Sequence, residues 1–162
     1  MTDEAFELLA RRWGDTIFRV ACHALGSRAD AEDVCQDVLL KLYHRDAPFD
    51  SDDHAKHWLI RVTVNHCRKT MRAPWRKRTL PLEDFDGPAE IPEDHSDVLA
   101  AVMALEPKYR VCVYLYYYEE YSVRDIAQAV GAKESTVQTR LHRARRQLRN
   151  ALQGEKEATD YV

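Results

Sequence analysis

Glycine is scarce, with 5 in 162 residues, and nothing resembles a glycine-rich phosphate loop. No stretch approaches the roughly 20 apolar residues that span a bilayer. Met1 to Leu9 carries acids where a secretory signal would have a basic start and an apolar run. A soluble, cytoplasmic chain without membrane insertion is expected. The four cysteines, Cys22, Cys35, Cys67 and Cys112, include no Cys-x-x-Cys pair, which argues against a disulfide framework or a zinc site. Each thiol is expected to fill a small buried space. His54, His57 and His66 lie near Cys67 but fall on different helical faces, so no metal ligands are assigned. No Ser/His/Asp grouping or paired-carboxylate site stands out, so neither catalytic residues nor a cofactor are expected, and the chain does not read as an enzyme.

The net charge of −3 hides a strong segregation. From Ala55 to Leu82 there is no acid, while Lys56, Arg61, Arg68, Lys69, Arg72, Arg76, Lys77 and Arg78 are basic. From Ser135 to Asn150 the acids vanish again, leaving Arg140, Arg143, Arg145, Arg146 and Arg149. Acids collect before Asp53 and between Glu83 and Asp97. Local basic runs of this kind suit phosphate contact whatever the overall charge.

Helical periodicity organises most of the chain. Glu4 to Leu25 places Phe6, Leu9, Trp13, Ile17, Val20 and Ala21 on one face and stops at Gly26. Asp30 to His44 buries Val34, Val38, Leu39 and Leu42, with acids in its first turn. A polar loop, Arg45 to Asp53, leads to a third helix from His54 to Arg72, which Pro74 ends. Residues 75–95 hold Pro81, Pro88, Pro92 and many acids without a period, and read as an extended linker. Beyond it, Ser96 can cap a helix to Leu105, and Pro107 opens another to Tyr118. Helices over Val123–Val130 and Glu134–Leu152 follow, with a frayed polar tail over 154–162. The fold class is all-α, with small helical domains at 1–74 and 96–153.

Ser122 to Arg145 has the layout of a helix-turn-helix. Ser122 and Asp125 make a capping-box-like start, and Gly131 makes the turn. Ile126, Ala127 and Val130 can meet Val137 and Leu141 across a close crossing. The opposite face presents Ser135, Gln138, Thr139, His142 and Arg143, types that reach base edges and phosphates in a major groove. The tyrosines Tyr114, Tyr116, Tyr117, Tyr118 and Tyr121 read as core and interface packing.

In the first half, Asp33-Val-Cys-Gln-Asp37 precedes Val38-Leu-Leu-Lys-Leu-Tyr43, with Asp33, Gln36 and Asp37 on the exposed side. Trp58-Leu-Ile-Arg-Val-Thr-Val-Asn65 puts an aromatic, an amide and bases on one helix. Such a set can hold a backbone and stack or hydrogen-bond an unpaired base. Trp58 also suits a core position, and Asn65 a structural amide.

Taken in order, Asp30 to Tyr43, Trp58 to Asn65, and Ser122 to Leu148 with its Thr136-Val-Gln-Thr-Arg-Leu-His-Arg-Ala-Arg145 core resemble an extracytoplasmic-function (group IV) sigma factor of the sigma-70 family. The resemblance implies an alternative sigma factor that directs RNA polymerase core to promoters. It implies a sigma-2 domain at the N-terminal end and a sigma-4 domain at the C-terminal end. Asp33, Gln36 and Asp37 would dock on the clamp of the polymerase's largest subunit, and the sigma-4 domain on the flap of the second-largest subunit. Trp58, Arg61, Asn65, Arg68, Lys69 and Arg72 would read the −10 element, with Asn65 in the pocket of a flipped base. Gln138, Thr139, His142 and Arg143 would read the −35 element, with Ser135, Thr136, Arg140 and Arg145 supporting and Lys133 meeting a phosphate. A partner anti-sigma factor is implied as well. The chain departs from the family at Lys133, where Ser is frequent, and in the acidity of its Arg45–Asp53 loop. The alternative function is a stand-alone helix-turn-helix regulator, for which Asp33–Asp37 and Trp58–Asn65 would be superfluous.

Overall fold

The structure, a computed structural model, describes residues 1–73 and 96–160. Among them every regular element is helical. The expected linker over 75–95 lies outside the described residues. Helix α1 spans Asp3–Leu25, α2 Arg28–Tyr43 and α3 Asp52–Arg72. Then come α4 (Ser96–Met103), α5 (Pro107–Val113), a π-helical stretch Tyr114–Tyr118, α6 (Val123–Val130) and α7 (Glu134–Asp160).

The boundaries follow from hydroxyl caps that periodicity alone does not locate. Thr2 Oγ1 accepts from the Ala5 N–H, Ser27 Oγ from Asp30 and Ser51 Oγ from His54. Each cap satisfies an amide that has no partner within its helix. Helix α3 thus starts two residues before the expected His54, and Asp52 and Asp53 occupy its first turn. Part of the loop's acidity is therefore helix-start chemistry, complementing the macrodipole.

Two other expectations change. The helix expected over Pro107–Tyr118 switches to π geometry at Tyr114, where the Glu119 N–H reaches the Tyr114 carbonyl at 3.3 Å. Helix α7 passes the expected stop at Leu152 and runs through Gly154 to Asp160. Gly154 has no atom near enough to exploit its missing side chain. Glycine inside a helix costs about 1 kcal/mol relative to alanine, so the stop expected near it follows from propensity, and the helix continues in spite of that cost.

Ile17, Val20, Val34, Val38, Leu42, Leu59 and Ile60 fill the space among α1, α2 and α3. Leu115, Ile126, Val137, Leu141 and Ala144 form the corresponding core of the second half. The halves are in contact, α1 against α5 and α3 against α6, so their buried residues merge into one cluster. Cys22, Cys67 and Cys112 are buried and Cys35 half-buried, all as free thiols. Burial raises the Cys22 thiol to about 11, with Arg28 a smaller opposing influence. That thiol is protonated and unreactive at neutral pH.

Candidate polymerase and nucleic-acid interfaces

Helix α2 divides cleanly. Ala31, Val34, Val38 and Leu42 are buried, while Asp33, Gln36 and Asp37 are exposed on the opposite side. His66 of α3 stands 2.9 Å from Asp37 Oδ2, which ties this face to α3. Leu40 shares the face one turn further on and is 57% exposed. Sequence reasoning passed over it because it sits inside an apolar run. Its spacing of seven from Asp33 and four from Gln36 was the available signal.

On α3, Arg61, Asn65, Lys69 and Arg72 are exposed and recur at three- and four-residue spacing, which makes one basic face. Trp58 is half-buried beside Phe49, with ring centroids 5.6 Å apart. The Arg45 guanidinium covers both rings at 4.3 and 4.8 Å. This stack joins the loop to the helix. Arg68 instead turns toward the second half, where it donates to the Val130 carbonyl in the helix-turn-helix turn. A cavity of about 560 Å³ lies between the 45–52 loop and the start of α1, lined by Arg45, Asp46, Phe49 and Ser51 among others. Asn65 does not border it, so the loop cavity and the amide are separate features.

The helix-turn-helix forms as its apolar pattern requires. Ile126, Ala127 and Val130 of α6 are buried with Val137 and Leu141 of α7. Gly131 takes φ 68° in the left-handed region, and its N–H closes on the Ala127 carbonyl. Lys133 lies exposed just before α7, where its carbonyl accepts the Val137 N–H. Lacking a side-chain acceptor, it leaves the first α7 amides open toward solvent. Ser135, Gln138, Thr139, His142 and Arg143 are exposed and Thr136 is half-buried. Two arginines point elsewhere. Arg140 lines a cavity of about 550 Å³ between the halves and meets Cys112. Arg145 Nε donates to Tyr117 Oη at 2.6 Å, with its guanidinium over the Tyr116 ring.

The seam between the halves carries its own titratable group. His23 of α1 stacks on Tyr114 at 4.4 Å, and burial holds its imidazole below the usual value, helped by Arg110 and Arg19. The Arg19 carbonyl, 2.8 Å from its Nδ1, opposes that shift only partly. Because the native imidazole is lowered, its contribution is complete above the ordinary value of about 6.5 and is lost as pH falls below it. The urea midpoint is expected to drop between pH 7.5 and 5.5, and to drop less in His23→Gln.

Two family models match, "Sigma-70 region 2" over residues 9–77 and "Sigma-70, region 4" over residues 95–148. The ECF RNA polymerase sigma factor SigM of Mycobacterium tuberculosis is 33% identical over 152 residues, covering 91% of this chain and 77% of that protein. This chain belongs to the ECF sigma factors of the sigma-70 family. SigE of Mycolicibacterium smegmatis, another ECF sigma factor, is 31% identical over 91% of this chain, which spans 62% of SigE's length. The sigma factor RpoE of Bartonella quintana, solved in complex with the anti-sigma factor NepR, shares the fold with a TM-score of 0.77. It is 23% identical, over 93% of this chain and 98% of that one. The ECF chain described here is an alternative sigma factor acting in transcription initiation, and its sigma-70 regions bind RNA polymerase and promoter DNA.

Proposed function

We propose that the first module, residues 1–74, joins polymerase to the −10 element, and that residues 96–153 read the −35 element. The observation that carries this reading is the pair of exposed polar and basic faces, on α3 and α7, each backed by a buried underside that is apolar except for Thr63, whose hydroxyl donates to the Leu59 carbonyl. On α2, Asp33, Gln36, Asp37 and the exposed Leu40 form the surface for the clamp of the largest subunit. Apolar contact there would supply affinity, and the acids would supply orientation. The second module meets the flap of the second-largest subunit. Arg61, Lys69 and Arg72 neutralise phosphates along the −10 region, while Asn65 hydrogen-bonds an extruded base. Gln138, Thr139, His142 and Arg143 enter the major groove, with Ser135, Thr136 and Lys133 at its edge. Arg68, Arg140 and Arg145, turned inward in this arrangement, reach DNA only if their present contacts release.

The factor supplies binding and strand capture and carries no catalytic group; it works in the cytoplasm beside its polymerase. The RpoE complex with NepR supports an anti-sigma partner for this chain too. The direct test is pull-down of core polymerase by the wild-type chain and by Asp33→Lys/Leu40→Asp. Capture by the wild type and its loss in the variant are expected; wild-type failure to bind core would refute the reading.

One magnitude follows for α7. Arg143→Ala should reduce promoter binding by holoenzyme and lower the salt slope by about 0.9 if one phosphate contact is lost. Titration from low to high salt measures it. An unchanged slope with weaker binding would reassign Arg143 to base readout.

A further inference from the structure

Between the halves lies a cavity of about 550 Å³ whose walls come from α1, α3, α5, α6 and α7. Val64, Val111 and Val130 are buried where they line it, and Met71 is half-buried. Arg68, Arg72, Lys108 and Arg140 supply its charge, and no acid is among its lining residues. A space of this size, with an apolar lining and a few convergent polar groups, has the usual form of a small-molecule site.

The positive charge is not neutralised from within the fold. Among the described residues no carboxylate pairs with Arg68, Arg72 or Arg140. Arg68 donates to the Val130 carbonyl, and Arg140 meets the Cys112 thiol. A guanidinium carries five N–H donors, so most of those on both arginines stay available to a ligand. Both side chains are half-buried, and a cation withdrawn from water without an anion is costly. Lys108 has Glu106 at 3.6 Å, but both side chains are more than half exposed and water screens the pair. An entering anion would offset the desolvation of Arg68 and Arg140.

The apolar floor sets a second demand. A bare phosphate or acetate would answer the arginines and leave the valines and Met71 against water. A neutral hydrocarbon would cover the floor and leave the cations uncompensated. One ligand meets both demands when an anionic head is joined to an apolar body. A carboxylate suits the head, because its two oxygens match the fork of a guanidinium.

We propose that this cavity binds an amphipathic organic carboxylate of the medium-chain fatty acid class. The head lies among Arg68, Arg72, Lys108 and Arg140, and the chain crosses Val64, Met71, Val111 and Val130. The site does not depend on how α3 and α7 meet DNA, and it is tested on the free chain.

The test is calorimetric titration of the full chain with hexanoate, octanoate and decanoate, each below its micellar concentration, and with 1-octanol. One site per chain is expected, tightening about fourfold for each methylene added. 1-Octanol should bind about tenfold more weakly than octanoate, having no charge to offer the arginines. Arg72→Glu/Lys108→Glu reverses the charge at two exposed positions, so the fold should survive, as circular dichroism would verify. That variant should bind octanoate at least tenfold more weakly and 1-octanol as the wild type does. Met71→Trp fills part of the floor and should cost decanoate more affinity than hexanoate. Several weak sites per chain, equal affinity for acid and alcohol, or unchanged octanoate binding by the charge-reversed variant would each overturn the proposal. So would equal losses of decanoate and hexanoate in Met71→Trp, which would put the apolar chain outside the cavity.

Discussion

Asn65→Ala is expected to lower transcription from duplex promoters about tenfold to a hundredfold while leaving affinity for core polymerase unchanged. Asn65 is exposed on α3, two turns beyond Trp58, and is no part of the buried core of the described residues, so the substitution should not disturb folding. Its assigned work is to hydrogen-bond a base that has left the stack. Extrusion costs a few kcal/mol, and each 1.4 kcal/mol of lost capture is a factor of ten in rate. Run-off transcription on a duplex template and on one already mismatched across the −10 region separates the steps. The premelted template should restore most of the activity. A defect of equal size on both templates, or a loss of core binding, would place Asn65 elsewhere in the mechanism.

Leu141→Ala is expected to destabilise the second module by about 2–5 kcal/mol, as a fully buried leucine replaced by alanine does when the cavity cannot close. Leu141 is 1% exposed and shares the buried cluster with Ile126 and Val137. Helix α7 depends on that seat to hold Gln138 and Arg143 in a common orientation. The loss should appear as an early phase in urea unfolding followed by circular dichroism. Promoters that rely on a −35 element should fail, while core capture through α2 persists. A single transition at the wild-type midpoint would show that Leu141 is not the keystone of the helix-turn-helix.

Much of this architecture can be read from residue order, for identifiable reasons. Amphipathic spacing located α1, α2, α3, α6 and α7, because each buries one stripe against near neighbours in the chain. The helix-turn-helix was legible for the same reason, since Ile126, Val130, Val137 and Leu141 are close in sequence and local rules suffice. Helix starts were less so: Ser27 and Ser51 are ordinary loop residues until a hydroxyl is seen to accept an amide. The switch at Tyr114 was hidden because a run of tyrosines suits α and π geometry alike.

The least legible feature is the seam. Lys56 and Glu119, His57 and Tyr121, and Arg110 and Gly26 are far apart in the chain, and no period marks one member of a pair for the other. Reading Arg68, Arg140 and Arg145 as solvent-facing bases was natural in a basic segment. The fold gives them a carbonyl, a thiol and a pair of tyrosine rings. Leu40 is a different case, an apolar residue left out of the expected stripe of Val34, Val38, Leu39 and Leu42 and given no role by chain order, which the fold leaves exposed beside Gln36 and Asp37.

The most direct measurement of the central claim is in vitro transcription with core polymerase over a randomised promoter library, scored by sequencing the transcripts. Transcripts should require the chain and be enriched for two short elements about 25 base pairs apart between centres. Asp33→Lys/Leu40→Asp should abolish them. Absence of transcripts from every library member, alongside a tight footprint of the isolated chain on duplex DNA, would contradict the account.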